Sequence, residues 1–185
     1  LGLDIGSISV KAVLMNPAGE VLAQQYRRSH GQPVETLLSI LSELLAQTPR
    51  DRIAGVAVTG SGGTLVAELL SAYYVNEIIA QSRATARLHP EVRSVIEIGG
   101  EDAKLILLEP DSVSGKIKIK DFSMNTVCAA GTGSFLDQQA ARLGIQIENE
   151  FGRLACKSTR PPRIAGRCSV FAKSDMIHLQ QAATP

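Results

Sequence analysis

One short pattern occurs twice in this sequence and constrains the fold more than any other feature. Residues 4–11 read Asp-Ile-Gly-Ser-Ile-Ser-Val-Lys, and they align without gaps on residues 97–104, which read Glu-Ile-Gly-Gly-Glu-Asp-Ala-Lys. In each copy an acid and an Ile-Gly pair precede a lysine, and an apolar stretch follows the lysine. The repeat therefore predicts two similar lobes, residues 1–92 and 93–185, which face each other across a ligand-binding cleft.

Hydrophobic periodicity around the two copies predicts an α/β fold, and we expect the two lobes to repeat one order of elements, βββαβα. Apolar stretches at 1–5, 11–15 and 21–26 are separated by turn residues, as is typical of short strands. Leucines recur at helical spacing in 33–47, where a proline suits the first helical position. Further predicted elements are a strand at 53–58, helices at 65–72, 77–88, 135–143 and 148–157, and a strand at 116–122.

Alternating lysines in the last of these strands indicate that it lies at the edge of a sheet. Lys116, Lys118 and Lys120 alternate with Ile117 and Ile119. Because successive side chains of a strand point to opposite faces, the lysines are expected to form one solvated face.

The composition is typical of a soluble globular protein without a nucleic-acid or membrane partner. Of the 185 residues, 44% are hydrophobic and 20% are charged, and the net charge of +1 leaves no large field of one sign. No apolar run approaches the roughly 18 residues of a membrane span, and no signal peptide precedes Asp4. We therefore expect a cytoplasmic protein. The sequence begins at Leu1 rather than Met, and we expect it to be a segment of a longer protein.

Both glycine turns of the repeat have the chemistry of phosphate-binding loops. Glycine lets backbone N–H groups approach an anion closely, so Gly6, Gly99 and Gly100 are candidate contacts. In the first turn Ser7 and Ser9 add hydroxyl donors, and Lys11 suits a β- or γ-phosphate. One such turn is more often structural than functional, but two aligned copies favour a site. Neither turn matches the P-loop or the dinucleotide-binding pattern.

The acids of the repeat and a third glycine turn extend the candidate site. Asp4 or Glu97, each at the end of a predicted strand, suits Mg²⁺ held through water. Gly131-Thr132-Gly133 opens the predicted helix at 135–143, and a helix N-terminus binds anions through its N–H groups. Simple N-capping by Thr132 or Ser134 explains the third turn equally well.

Two of the three cysteines are candidate metal ligands. Cys128 and Cys168 both lie among small residues at the start of a predicted helix, where a thiolate is stabilised. Two thiolates per chain cannot complete a four-cysteine cluster, but a two-fold dimer supplies four. Buried or unpaired cysteines remain the alternative. Cys156 falls inside the predicted helix at 148–157 and is predicted to pack in the interior. A zinc site needs nearby partners, and the histidines occur in unrelated contexts typical of surface or packing residues: His30, His89 and His178.

Four short motifs, taken together, resemble those of one protein family. They are Leu3–Ser7, Ile98–Asp102, Cys128–Phe135 and Cys168–Ala172. This set resembles the activators of 2-hydroxyacyl-CoA dehydratases and the related ATPase subunits of benzoyl-CoA reductase, which belong to the superfamily of actin, sugar kinases and heat-shock chaperone ATPases. The resemblance covers nearly the whole chain, and it implies an actin-like (ribonuclease H-like) ATPase fold with a truncated second lobe.

The resemblance also implies an activity, cofactors and partners. It implies a homodimer with one [4Fe-4S] cluster ligated by Cys128 and Cys168, and ATP or ADP with Mg²⁺ in each cleft. Electrons from a ferredoxin or flavodoxin would pass to a 2-hydroxyacyl-CoA dehydratase or a benzoyl-CoA reductase-like partner. We predict catalytic roles for Asp4, Glu97 and Asp102. The predicted nucleotide-binding residues are Gly6, Ser7, Ser9, Lys11, Gly99, Gly100, Glu101, Gly131, Thr132 and Gly133.

The sequence departs from the family pattern at several positions. Glu97 stands where the family usually has Asp, and Glu101 stands where it usually has Gln. Residues 77–83 match an E-x-x-x-H-x-R segment except that Gln81 replaces the histidine. The family's adenosine-binding Gly-Gly segment is expected beyond Pro185, so we expect this segment alone to bind nucleotide poorly.

Two other functions fit the same fold. A sugar or N-acetylglucosamine type kinase would use the phosphate turns with Asp102 as a general base, and its cysteines would be incidental. A non-catalytic regulatory lobe would show no ATP turnover.

Overall fold

A computed structural model of the chain describes residues 1–125 and 131–184. The chain forms two compact units, of which the first contains residues 1–95 and 106–121 and the second residues 96–105 and 122–185. The division into lobes at residues 92 and 93 stays a prediction. None of the helices in the described ranges has the length and apolar character that a transmembrane helix needs.

A five-stranded sheet in the order β3-β2-β1-β4-β5 forms the centre of the first unit. The strands are β1 (Gly2–Ile5), β2 (Ser9–Met15), β3 (Val21–Arg28), β4 (Ala57–Thr59) and β5 (Tyr73–Tyr74). The first three pair antiparallel in sequence order, whereas β1–β4 and β4–β5 are parallel pairs. The predicted three-stranded start of the fold is confirmed. Because β1 is central, the acid near its end lies between two neighbouring strands.

Three helices accompany this sheet: α1 (Pro33–Gln47), α2 (Gly63–Leu70) and α3 (Glu77–Leu88). α1 begins at its proline as predicted, and it buries Leu37, Ile40 and Leu44. These side chains form one aliphatic core with buried residues of the sheet and of α2, namely Leu3, Ile5, Val10, Ala12, Val58, Val66 and Ala67. This core holds β1 in place beneath the first glycine turn.

Two predicted boundaries in this unit are wrong. In place of the strand predicted at 53–58, the structure has the three-residue strand β4. Pairing with β1 begins only at Ala57, opposite Gly2, and a 3-10 turn occupies Arg50–Arg52. The helix predicted at 65–72 ends at Leu70, where Ser71 adopts a left-handed conformation with φ of 49°. The chain then forms β5, which hydrophobic periodicity did not predict.

A three-stranded sheet repeats the first part of the fold. Its strands are β6 (Ser94–Ile98), β7 (Ala103–Pro110) and β8 (Ile117–Met124), in the order β6-β7-β8. Buried Ile106 and Leu108 pack with Ile78 of α3. β8 lies at an edge with its lysines exposed and Ile117 and Ile119 partly buried, which confirms the prediction from their alternation.

The turn between β7 and β8 is organised by one carboxylate. Asp111 Oδ1 accepts hydrogen bonds from the backbone N–H groups of Ser114 and Val113, at 2.8 and 3.1 Å. These bonds, together with Lys118 at 3.2 Å, hold the pKa of Asp111 well below its usual range. Asp111 therefore fixes the turn that connects β7 to β8.

The second unit contains the remaining helices: α4 (Gly133–Leu143), α5 (Gly152–Ala155) and α6 (Ser169–Gln181). α4 ends at Gly144, whose φ of +67° is the expected left-handed cap. The helix predicted at 148–157 is instead a π-helical turn at Ile147–Phe151 followed by the single turn of α5. Cys156 lies at the end of this turn and is exposed, so the prediction that it packs in the interior is wrong. The reason is that neither short helix has a buried residue.

Candidate functional site

The first glycine turn joins β1 to β2 and places an acid beside a lysine. The Gly6 N–H donates to the Ser9 carbonyl oxygen at 3.0 Å and closes the turn. Asp4 and Lys11 lie opposite each other in the antiparallel ladder, and Lys11 Nζ donates to Asp4 Oδ2 at 2.8 Å. The lysine side chain is 41% exposed and the aspartate 35% exposed, so solvent reaches both. Tyr26, opposite Lys11 on β3, has its ring centre 6.0 Å from the ammonium.

The second glycine turn has the same geometry between β6 and β7. The Gly99 N–H donates to the Asp102 carbonyl oxygen at 2.8 Å, and Lys104 Nζ donates to Glu97 Oε2 at 2.9 Å. Each hydrogen bond joins the positions that the sequence alignment made equivalent in the first turn. The repeat is therefore a repeated structure, in which an acid and a lysine flank a closed turn.

The two copies differ in how the lysine is held. Lys104 also donates to Asp102 Oδ1 at 2.7 Å, and its side chain is only 3% exposed. The position equivalent to Asp102 in the first copy is the buried Ser9. In the first copy one carboxylate holds an accessible lysine, and residues 4–11 are neutral. In the second copy two carboxylates hold a buried lysine, and residues 97–104, which also contain Glu101, carry two negative charges. An anion such as phosphate is suited to the first lysine rather than the second.

The glycine-rich stretch at residues 60–63, which follows β4, lies close to Asp4, the acid of the first copy. In the sequence these glycines indicated only the end of a strand. Gly60 follows β4 with a φ of +92°, and a Cβ atom there would lie 2.6 Å from both Asp4 Oδ1 and the Ile5 carbonyl oxygen. The Gly62 N–H donates to that same carbonyl at 2.9 Å. The glycine-rich stretch Gly60-Ser61-Gly62-Gly63 was the signal in the sequence for this close approach.

Ser29 is a second residue that sequence reasoning missed. It is buried just after β3, where its hydroxyl donates to the Ser7 carbonyl oxygen at 2.9 Å and its N–H donates to the Ile8 carbonyl oxygen at 2.8 Å. These two bonds fix the middle of the first turn from the side. A single serine after a strand gives no sequence signal for this role.

The third predicted turn contacts the second one. The N–H groups of Gly133 and Ser134, at the start of α4, donate to the carbonyl oxygens of Gly99 and Gly100 at 2.9 and 2.8 Å. Thr132 takes the N-cap position, is fully buried and makes no side-chain cap hydrogen bond. These two N–H groups would have to leave the carbonyl oxygens before they could bind a phosphate. The exposed residues Glu101 and Gly131, whose φ is +83°, lie beside these turns in the sequence.

Of the two predicted cluster ligands, the structure describes one. Cys168 is the N-cap residue of α6 with an extended backbone, and its thiol is partly exposed. Cys128 lies outside the described residues. Within the described part of the chain, no group of three or more His, Cys, Asp or Glu residues could hold a metal ion. The three histidines, His30, His89 and His178, are exposed, as predicted.

Comparison with known proteins decides the family. The family model described as the BadF/BadG/BcrA/BcrD ATPase family matches residues 1–184. The chain belongs to this family. The resemblance inferred from the four motifs is thereby confirmed.

Named relatives include dehydratase activators and one component of a reductase. The 2-hydroxyisocaproyl-CoA dehydratase activator of Clostridioides difficile is 32% identical over 186 residues, covering 99% of this chain and 66% of that protein. One of the subunits of the benzoyl-CoA reductase of Thauera aromatica is 29% identical over 184 residues, covering 96% of this chain and 62% of that protein. The chain thus spans less than two thirds of the length of these BadF/BadG/BcrA/BcrD ATPase relatives.

Solved structures of activators confirm the predicted fold. Component A of the (R)-2-hydroxyglutaryl-CoA dehydratase of Acidaminococcus fermentans matches with a TM-score of 0.86 at 30% identity, over 100% of this chain and 68% of that one. The 2-hydroxyisocaproyl-CoA dehydratase activator from Clostridium difficile, solved with bound ADPNP, matches with a TM-score of 0.85 at 32% identity, over 99% of this chain and 66% of that one. The actin-like α/β fold of this BadF/BadG/BcrA/BcrD ATPase is therefore established.

Proposed function

We propose that the protein is an ATP-dependent activator that transfers one electron from a [4Fe-4S] cluster, shared by two copies of the chain, to a 2-hydroxyacyl-CoA dehydratase or a related reductase. The observation that carries the proposal is the repeated acid, closed glycine turn and lysine, in a chain that matches an ADPNP-bound activator over nearly its whole length. ATP hydrolysis by this chain, its electron donor (a ferredoxin or flavodoxin) and its cytoplasmic location are parts of the same proposal.

Lys11 is the residue best suited to bind the nucleotide phosphates. Its ammonium is half exposed, has Asp4 as one partner and lies beside the turn closed by Gly6. When a phosphate binds, the lysine can turn from the carboxylate to a phosphate oxygen without leaving its strand position. Gly6 keeps the backbone free of a side chain there, since a Cβ atom would lie 3.0 Å from the Ser9 carbonyl oxygen.

Either Asp4 or Glu97 would hold Mg²⁺ through water. Both carboxylates are about one third exposed, and each binds its lysine through one oxygen. This leaves an oxygen on each side chain for a metal-bound water, as suits an ion that retains several waters. Bound Mg²⁺ would neutralise phosphate charge during hydrolysis. Asp102 is held by Lys104 and would help to orient the attacking water.

The chemistry of Cys168 fits a cluster ligand. A thiolate at the N-cap of the 13-residue helix α6 lies at the positive end of the helix dipole, and the partly exposed sulfur is accessible to iron. One chain supplies Cys168 and Cys128, and two chains supply the four thiolates that a [4Fe-4S] cluster requires. The bound cluster would supply a one-electron redox centre.

The named relatives favour this activator over a small-molecule kinase. The activator should support ATP-dependent reduction of its partner enzyme by a reduced ferredoxin or flavodoxin, measured anaerobically with the full-length protein. Formation of a sugar phosphate from ATP, with no electron transfer to any dehydratase or reductase, would instead support the kinase.

Replacing Cys168 with alanine should abolish cluster binding while the fold survives. The thiolate is one of two ligands per chain in this proposal, and Cys168 is only partly buried, so its loss should cost the fold little. The matched control is Cys156→Ala, which removes an exposed cysteine at the end of α5. We expect iron and visible absorption to disappear in the first variant and to remain at wild-type level in the second, with unchanged far-ultraviolet circular dichroism in both. Full iron content in Cys168→Ala would refute the ligand assignment.

A further inference from the structure

The segment that leads to Cys168 has no regular secondary structure and little burial. Residues 159–167 contain no helix or strand, and every residue of the segment except Ala165 is exposed. A segment of this kind normally samples many backbone conformations, because neither a ladder of hydrogen bonds nor a core restrains it. A cysteine at its end would therefore vary in position unless something fixed the segment.

One hydrogen bond provides this restraint. The Ala165 N–H donates to Asp175 Oδ2 at 2.9 Å, in a partly buried position. Among the described residues it is the one hydrogen bond that segment 159–167 makes. Asp175 belongs to α6, the helix that Cys168 begins, and the carboxylate makes this bond stronger than one between neutral groups.

The bond closes a small loop around the cysteine. Ala165 lies three residues before Cys168 and Asp175 lies seven residues after it, two turns along the helix. On the helix side, the Ala172 N–H donates to the Cys168 carbonyl oxygen at 2.9 Å. The cysteine is therefore held from both directions, by the first turn of α6 and by a side chain from the second turn.

We propose that Asp175 is a positioning residue for Cys168, and that its carboxylate holds residues 165–168 in the conformation in which the thiol can act as a ligand. The consequence for metal binding rests on the proposed function, whereas the consequence for the thiol itself does not. Without the acceptor the segment is released, and the thiol of the metal-free protein becomes more accessible to reagents. In the metal-loaded protein the same release would let iron leave faster.

The test compares Asp175→Ala with Asp175→Asn in the full-length protein. Asparagine keeps an acceptor oxygen of nearly the same shape without the charge, so it should retain part of the restraint. Ser174→Ala is the matched control, because Ser174 is the neighbouring residue of α6 and its hydroxyl bonds only within the helix, to the Val170 carbonyl oxygen. The first measurement is the alkylation rate of Cys168 by iodoacetamide in metal-free protein, located by mass spectrometry, with the exposed Cys156 as internal reference.

We expect Asp175→Ala to raise the rate at Cys168 by about tenfold, the order expected for loss of one charge-assisted hydrogen bond, and to leave the rate at Cys156 unchanged. Asp175→Asn should raise the rate by about threefold, because a neutral acceptor makes a weaker bond, and Ser174→Ala should stay within about twofold of wild type. Equal rates at Cys168 in wild type and Asp175→Ala would overturn the proposal. So would an Asp175→Asn rate equal to that of Asp175→Ala. If the alanine variant fails to fold, Asp175→Asn alone tests the proposal, and a Cys168 rate equal to that of wild type would overturn it.

The second measurement is iron release to a chelator under anaerobic conditions. Faster release from Asp175→Ala than from Asp175→Asn supports the positioning role in the loaded protein. If no variant, wild type included, ever binds iron while the alkylation rates differ as expected, the positioning of Cys168 stands and the proposed cluster fails. The two results therefore separate this inference from the function on which its metal consequence rests.

Discussion

Replacing Gly60 with alanine is expected to lower the free energy of unfolding by roughly 3 kcal/mol. A Cβ atom at this position would lie 2.6 Å from the Ile5 carbonyl oxygen and from Asp4 Oδ1, and 2.7 Å from the Ile5 carbonyl carbon. Two of these atoms belong to the backbone of the central strand, which is fixed by pairing on both sides. In addition, the φ of +92° is unfavourable for any residue with a side chain.

Two other glycines separate the two causes of this loss. Gly31 has a φ of +80° with nothing within 4 Å of a Cβ atom, so Gly31→Ala should cost only the conformational penalty, about 1 kcal/mol. Gly55 has neither problem, and Gly55→Ala should be close to neutral. Urea denaturation of the three variants measures the differences. A loss in Gly60→Ala no larger than that in Gly31→Ala would mean that the close approach to Asp4 does not matter for stability.

The two lysines of the repeat are expected to contribute differently, Lys104 mainly to stability and Lys11 mainly to nucleotide binding. Lys104→Met leaves Glu97 and Asp102 without the buried ammonium they share, and we expect a loss of about 2 kcal/mol in the free energy of unfolding. The value is below that of a fully buried pair because both carboxylates remain about one third exposed. Lys11→Met breaks one solvent-accessible pair and should cost less than about 1 kcal/mol.

Nucleotide affinity should show the reverse order. Lys11→Met is expected to weaken ATP binding by about tenfold or more, because it removes the accessible cation beside the first turn. Urea denaturation and a nucleotide titration of both variants in the full-length protein test the pair of expectations. The double variant Lys104→Met/Asp102→Asn should recover part of the lost stability, since it removes one of the two uncompensated charges. If Lys104→Met weakened ATP binding more than Lys11→Met without a loss of stability, the division between the two lysines would be wrong.

Much of the fold could be predicted from the sequence because local signals agreed with the final packing. α1 and α3 have the predicted bounds, since a proline or an asparagine marks the first turn and apolar residues recur at helical spacing. The repeat gave the equivalence of the two glycine turns without any knowledge of the pairing. The two-residue β5 could not be predicted, because it depends on a parallel partner in β4 that lies far away in the sequence.

The candidate site was predictable in its residues but not in its contacts. The alignment brought out Asp4, Lys11 and Glu97, but it could not show that one lysine is buried between two carboxylates while the other is accessible. The contact between Gly60 and Asp4 was also beyond the sequence, because it depends on the parallel pairing of β1 and β4. Cys156 was predicted to pack because its segment looked helical, but that segment is a short irregular turn with no buried face.

The repeated turns also suggest how one local structure can carry two roles. Both copies keep the closed turn and the acid–lysine pair, although the pairing of the strand backbones requires neither feature. Asp102 in place of Ser9 adds a second carboxylate around the buried lysine, and Glu101 in place of Ile8 adds a further acid to the second copy. We therefore expect the first copy to bind phosphate, and the second copy to hold the carboxylates of Glu97 and Asp102 in place around Lys104.

The measurement that tests the central claim most directly is the iron and sulfide content of the anaerobically purified full-length protein, determined together with its oligomeric state. The account predicts a brown dimer with about four iron and four sulfide per two chains. A colourless monomer that stays free of iron after reconstitution with iron and sulfide would contradict it.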